Sequence, residues 1–400
     1  MRTNKTSKSA TAFVKFIMER TAYAKQGIVP LSSLSFWMGA GFSKSWDPQY
    51  PIGDDLFTIK ENEWQMWRNL SGFLATNNYH GLDELSPDRF REIVYQLGMF
   101  KKYPAIRGRF IDKSNIAMIE NELRRVVMNK FYKTVQPYCF NEKTGRIEIG
   151  HRLNEAQNDI IKFFRLVMNQ VDGSLDVAQG LRANFITTNY DNLIEAIIDA
   201  SSSELVGASQ LYLYRGITPV SINGEDNVKP IQDNWIVNSL FKINGGFEIY
   251  KRDRKYELDY RASAGTAKGG DAPQLMLPSK EQDYTQDYFK AIFPKAVRLL
   301  QESKALVIVG YSLPEDDSLL RFLMKQFAED RADGIGRLVF YITKSNEREF
   351  KLKEKLESVW PNPDESPSFR LHIYLEGFDK WAAEVNTEAR ERMMWSPDNL

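Results

Sequence analysis

The stretch Phe185-Ile186-Thr187-Thr188-Asn189-Tyr190-Asp191 constrains the fold more than any other. An apolar run stops on an amide and a carboxylate, and a helical pattern, Leu193-Ile194-Glu195-Ala196-Ile197-Ile198, follows at once. A strand that passes directly into a helix is the building unit of an α/β sheet. In an open sheet of that kind, ligands lie beyond the carboxyl ends of the strands. Asn189 and Asp191 would then stand at the mouth of a cleft. Polar side chains at such a junction also serve simply to cap the helix. These residues alone leave both readings open.

Further strand and helix signals flank this unit. Leu34-Ser35-Phe36-Trp37-Met38 reads as a strand ending in Gly39-Ala40-Gly41-Phe42-Ser43, and Ala305-Leu306-Val307-Ile308-Val309 as one ending in Gly310-Tyr311-Ser312. After the second, Ser312 and Glu315 have capping-box spacing, Pro314 falls in the first turn, and Glu315, Asp316 and Asp317 suit the positive end of a helix dipole. Residues 338–342 and 371–375 supply two more strands, separated by a Pro-rich loop from Pro361 to Pro367. A leading helix is expected near 11–25. Between about 60 and 180 the pattern is helical with almost no strand signal. There, segment 114–131, capped by Ser114, repeats Ile116, Ile119, Leu123, Val126, Val127 and Phe131 at helical spacing, and a second helix runs through Ile160, Ile161, Phe164, Val167 and Met168. Both stripes read as core packing. The expected organisation is one α/β domain over 1–58 and 178–400, with a helical insertion subdomain over 59–177.

Charge and cysteine usage exclude several classes. Lys+Arg and Asp+Glu are both 53 in the 400 residues, so no global field draws the chain to nucleic acid or anionic lipid. The basic run Lys251-Arg252-Asp253-Arg254-Lys255 carries its own acid and reads as a solvated face. Cys139 is the one cysteine, which excludes a paired-cysteine zinc module and any intramolecular disulfide. His80, His151 and His372 show no metal-ligand spacing. No apolar run is long enough to span a bilayer, and the first residues lack the core of a signal peptide, so a cytoplasmic protein is expected.

The glycine motifs are ambiguous one at a time. Gly39-Ala40-Gly41 after a strand suits backbone approaching a phosphate. A dehydrogenase fingerprint would need a glycine at Lys44, and a Walker loop glycines at Met38 and Ser43, so both common nucleotide motifs fail. Phe241-Lys242-Ile243-Asn244-Gly245-Gly246-Phe247 reads equally as a two-residue Asn-Gly hairpin. The small-residue stretch 261–273, with Gly265, Gly269 and Gly270, reads as a lid or as a plain surface loop.

In combination, GAGFS, TTNYD, KINGG and VGYSLPEDD, in that order, resemble the sirtuin family, in its branch found in bacterial anti-phage defence. The resemblance covers about 31–56 and 181–380. It implies a Rossmann-like parallel sheet of the sirtuin type holding NAD+ as substrate; the inserted all-helical subdomain is unmatched by it, and the family's zinc module of paired cysteines is ruled out by the single Cys139. Gly39, Ala40 and Gly41 would line the pyrophosphate, with Ser43 and Thr188 beside it. Asn189 would orient the nicotinamide ribose, Asp191 would face the carboxamide, and Gly310 and Ser312 would border the adenosine end. Asn244 stands where the family carries its catalytic histidine, and asparagine is no general base near neutral pH. His80 or His151, from the helical block, are the alternative bases.

The implied activity is NAD+ hydrolysis to nicotinamide and ADP-ribose, with self-assembly or a HerA-type ATPase as partner. Deacylation is disfavoured without the cysteines. The rival is a non-catalytic NAD- or ADP-ribose-binding subunit. A nucleic-acid effector is disfavoured by the balance of charge.

Overall fold

The computed structural model describes residues 6–25, 32–77, 79, 81–106, 111–135, 138–168, 181–202, 213–224, 238–261, 271–314, 317–329, 336–345, 349–360 and 369–393. Six strands form one sheet, in the spatial order Phe369–Tyr374, Arg337–Ile342, Ser303–Val309, Ser32–Met38, Leu181–Thr187, Ser239–Lys242. Every neighbouring pair is parallel. In chain order the strands run outward from the first in one direction, then restart on its other side. That is the doubly wound order, and its reversal lies between Ser32–Met38 and Ser303–Val309.

Alternation along each strand divides the apolar side chains between the two faces. Leu34, Phe36 and Met38 join Phe185, Val307 and Val309 in one core, packed by the helices Lys8–Lys25, Glu155–Met168 and Phe378–Met393. Trp37, Ile186, Leu306 and Ile308 face the other core, packed by Asp287–Glu302, Ser318–Glu329 and Glu349–Glu357. Both cores are fully buried, which is why the strands read as near-continuous apolar runs. Phe163 and Phe164 of Glu155–Met168 sit on Phe36 with ring centroids 6.1 and 5.9 Å away. That helix thus packs directly on the sheet.

Several expectations change in detail. The 59–177 block is not purely helical: Ile59–Lys60 pairs with Glu84–Leu85, and Tyr138–Asn141 with Arg146–Ile149, as two-stranded ribbons. These strands are too short to show a period of two in sequence. The long helix spans Lys113–Thr134, and its cap is Asp112, whose carboxylate accepts from the Asn115 amide at 2.8 Å, rather than Ser114. The helix after Gly310 begins at Ser318, well beyond Ser312. Leu313 has φ 54° and Tyr311 Oη donates to Asp317 Oδ2 at 2.7 Å, so a folded turn occupies the place of the expected first helical turn. Glu315 and Asp316 lie outside the described residues, as do most of 261–273 and all of 361–367.

The Asn-Gly hairpin does not form. Ser239–Lys242 pairs in parallel with Leu181–Thr187, whereas Ile249–Arg252 pairs antiparallel with Lys255–Leu258. Gly245, at φ 84°, instead bridges to Leu275.

No helix among the described residues is long and apolar enough to cross a membrane. Cys139 is exposed and free. Lys251 pairs with Asp287, and Arg252 with Glu257 and Asp271, so these two cations of the basic run sit in a salt-bridged surface.

Candidate functional site

The expected site residues converge on the carboxyl ends of the strands, at the reversal of the sheet. Gly39 donates its amide to Val309 O at 2.9 Å, and Gly41 donates to Gly310 O at 2.9 Å. A Cβ on Gly39 would lie 2.6 Å from Gly310 O, and one on Gly41 2.7 Å from Gly310 Cα. The glycines are needed because two backbone turns cross in contact. With Gly39 and Gly41 engaged, Ala40 keeps the amide of this turn that has no partner among the described residues.

The strand Leu181–Thr187 presents its motif by extending the sheet register. Thr187 Oγ1 and the Thr188 amide both donate to Met38 O, at 3.0 and 3.1 Å. Asn189 is half-buried, and its Nδ2 donates to Gly39 O and to Ser43 Oγ, both at 2.9 Å. Ser43 Oγ in turn donates to Asp191 Oδ2 at 2.9 Å. Asp191 Oδ1 accepts the Leu193 amide at 3.0 Å at the start of the helix Leu193–Ser201. The two residues differ: Asp191 serves the helix terminus, while Asn189 Oδ1 has no partner among the described residues. Burial pushes the Asp191 carboxyl up, against the Leu193 amide, Lys242 and Ser43, which favour its charge.

Asn244 joins from the neighbouring strand end. Its Nδ2 donates to Thr188 O at 3.2 Å, and its own carbonyl accepts the Met276 amide at 2.8 Å. Tyr190, between Asn189 and Asp191, donates its hydroxyl to Met276 O and packs on Phe247 at 5.7 Å. Phe131 and Tyr132 of the helix Lys113–Thr134 pack on the same Phe247 with tilted rings at 5.1 and 5.6 Å. The helical block thus docks beside the site.

Ser312 is exposed and contacts none of the other expected residues by hydrogen bond. Neither described histidine makes a hydrogen bond to Asn244. His372 stacks on Phe340 at 5.1 Å in the edge strand Phe369–Tyr374, at the opposite side of the sheet from Ser239–Lys242. His151 follows a ribbon whose Ile147 amide donates to Asp199 Oδ2 at 2.7 Å. Asp199 is near the far end of the helix that starts at the site, about 9 Å along its axis. His80 lies outside the described residues.

A buried ionic network beneath the motif was not foreseen. Lys242 Nζ donates to Asp191 O at 2.8 Å, Asn192 Oδ1 at 2.9 Å and Glu248 Oε2 at 2.8 Å, and lies 2.9 Å from Glu195 Oε1. Arg215, also buried, donates to Leu213 O at 2.8 Å and to Tyr260 Oη at 2.7 Å, close enough for Glu195 and Glu248 to stabilise its charge. Two cations thus balance two carboxylates. Burial pushes Glu248 up to about 7, opposed by Lys242 and reinforced by the Glu195 carboxylate. Gly246 packs against the network, and a Cβ there would lie 2.4 Å from Glu248 Oε2, so a side chain would displace the ion pair. The signal available in sequence was one charge, Glu195, inside an apolar helix and another, Lys242, inside an apolar strand. An isolated charge in such a run implies a buried partner.

Among the described residues, no group of three or more His, Cys, Asp or Glu is placed to hold a metal ion. The arrangement offers hydrogen-bonding positions at strand ends.

Comparisons with known proteins bear on this site. No curated protein matches the chain. Among solved structures, a mutant Sir2 homologue bound to ADP-ribose aligns over 96% of this chain and 98% of its own, at 11% identity and a TM-score of 0.39. A Sir2–p53 peptide–NAD+ complex aligns over 96% and 98%, at 11% identity and a TM-score of 0.36. A family model described as a SIR2-like domain matches residues 183–360, the stretch that carries Asn189, Asp191, Asn244, Gly310 and Ser312.

Proposed function

We propose that the strand-end site binds NAD+ and hydrolyses its N-glycosidic bond, releasing nicotinamide and ADP-ribose. The observation that carries this reading is Asn189: its Nδ2 is clamped by Gly39 O and Ser43 Oγ, so Oδ1 is held as a fixed acceptor at the carboxyl end of a central strand. The SIR2-like match over 183–360 supports the choice of ligand.

The chemistry asks for what such an acceptor supplies. As the bond to nicotinamide breaks, positive charge develops on the ribose, in a geometry akin to glycoside cleavage. Nicotinamide leaves with the bonding electron pair as a neutral molecule, and water adds at the same carbon, releasing a proton. The site's work is therefore positioning and dipolar stabilisation. Asn189 Oδ1 accepts from a ribose hydroxyl or the attacking water. Asp191 acts through Ser43 to fix Asn189. Ala40 offers its amide to the pyrophosphate, and Gly310 and Ser312 border the adenosine end.

The second reading, an NAD- or ADP-ribose-binding subunit without cleavage, is favoured by Asn244. Its Nδ2 donates to Thr188 O, and it cannot accept a proton at neutral pH.

In the hydrolase reading the protein is a cytoplasmic, NAD+-depleting effector of anti-phage defence. The insertion over 59–177 is then the surface through which self-assembly or a HerA-type ATPase restrains it; the family resemblance alone supports these roles. The test is nicotinamide release from NAD+ by purified protein, alone and with its partner, beside an Asn189→Ala control. Measurable NAD+ binding with no release under either condition would leave the binding subunit as the function.

A further inference from the structure

The inserted helices bring to the site a cation that the fold does not use. A cleft of about 680 Å³ lies between the helices Pro87–Lys102 and Lys113–Thr134 and the segment 275–286. That volume suits a small-molecule ligand. Met276, on one wall, is the residue whose amide holds Asn244 O and whose carbonyl accepts the Tyr190 hydroxyl. The cleft therefore adjoins the strand-end site.

Among the described residues two of its charged side chains lack an ion pair: Asp283, whose Oδ1 accepts from Thr285, and Arg124. Lys101 pairs with Glu120, and Lys102 with Glu281 at 3.5 Å. Arg124 has no ion pair among the described residues. Its hydrogen bonding amounts to one long donation from Nη1 to Asn121 Oδ1 at 3.4 Å, and its buried Nε has no acceptor. Burial works against the guanidinium charge, partly offset by the Glu120 carboxylate and Tyr190, and the group cannot shed its proton. On the 275–286 wall of the same cleft, Gln282 Oε1 is a buried acceptor with no donor. Unpaired buried polar atoms are rare enough that each asks for an explanation. Here Arg124 and Gln282 line one cavity, so a small shift of either side chain lets a single ligand carrying an oxyanion and a hydroxyl satisfy both.

We propose that Arg124 and Gln282 form a sugar-phosphate subsite, the guanidinium taking phosphate oxygens and Gln282 Oε1 accepting from a hydroxyl. The guanidinium fork matches a phosphate in two parallel hydrogen bonds. With the NAD+ reading above, on which the identity of the ligand rests, the occupant is a phosphoribosyl part of that nucleotide. A free sugar phosphate presents the same chemistry.

Calorimetric titration and thermal shift of the full chain test this with ribose 5-phosphate, inorganic pyrophosphate, nicotinamide riboside and succinate as probes. Ribose 5-phosphate is expected to bind more tightly than pyrophosphate, and nicotinamide riboside, lacking phosphate, to gain nothing from Arg124. Arg124→Gln should weaken both phosphates about tenfold or more. Arg124→Lys should recover part of that loss, and Gln282→Leu should remove only the advantage of the sugar. Without ligand, Arg124→Gln should melt at or above wild type, because a half-buried cation with no ion pair among the described residues is gone. A lower melting point for that variant would assign Arg124 to the fold and overturn the subsite. Phosphate binding unchanged in Arg124→Gln, no phosphate binding by wild type, or binding of succinate alone would each overturn it too. Phosphate binding that depends on Arg124, with no nicotinamide release from NAD+, would retain the subsite and remove only the hydrolase.

Discussion

Gly41 and Gly310 meet across the reversal point of the sheet, with the Gly41 amide donating to Gly310 O at 2.9 Å. A Cβ on Gly310 would stand 2.3 Å from the Gly41 carbonyl carbon, and Gly310 has φ 59°. Two turns from distant parts of the chain thus share space that only backbone can fill. The contact sets the floor on which Asn189 rests, since Gly39 O, one residue before the start of the helix Ala40–Trp46, accepts its amide.

Gly310→Ala is accordingly expected to destabilise the protein by about 2–4 kcal/mol, combining a left-handed backbone penalty with overpacking. Urea unfolding of the variant against wild type measures it. A change below about 0.5 kcal/mol would mean that the two turns separate at little cost.

Ser43 and Asn189 should fail differently. Ser43→Ala removes the donor to Asp191 Oδ2 inside the protein and one acceptor of Asn189. A stability loss of about 1–3 kcal/mol is expected, together with weaker NAD+ binding. Asn189→Ala removes a half-buried side chain with less effect on melting, but should abolish nicotinamide release. Melting curves and a release assay on both variants separate the roles. Equal loss of stability in the two would make Asn189 a structural residue.

The Lys242 network should give the protein a pH signature. Glu248 holds its proton up to about 7 in the folded state, against an ordinary value of 4.5. The folded state therefore binds more protons than the unfolded chain between those values. This contribution is fully present below pH 4.5, falls as pH rises, and is lost above about 7. Glu248→Gln mimics the protonated form, so its stability advantage over wild type should grow across that window, by up to about 1.4 kcal/mol per pH unit. A difference independent of pH from 5 to 8 would show that Glu248 is ionised throughout. Lys242→Met, which leaves two buried carboxylates with one fewer cation, should cost about 3–5 kcal/mol.

Much of this was legible in sequence because it rests on local patterns. Apolar runs ending in Gly39, Thr188 and Gly310 gave the central strands, and helical stripes such as Ile116 to Phe131 gave the helices of the insertion. Capping was less legible. Ser114 and Ser312 fit capping patterns, but Asp112 and the folded turn around Leu313 and Asp317 took their places. A capping signature records only what the nearest residues can do, and distant contacts select among the possibilities. The Asn-Gly pair at 244–245 failed as a hairpin for the same reason: Leu275, some thirty residues on, bridges Gly245.

The sequence by itself determined the alternation of strand and helix and the polar stop at Asn189 and Asp191, since each is a matter of side-chain type and period. Only the tertiary structure decided that Asp191 serves the helix while Asn189 keeps an acceptor with no partner among the described residues, that Gly41 is needed for Gly310, and that Lys242 lies among Asp191, Glu195 and Glu248. It also placed Arg124, from a helix more than fifty residues earlier, beside the strand ends. Those outcomes depend on which groups the packed sheet brings within about 3 Å of each other. Spacing along the chain carries no record of that distance.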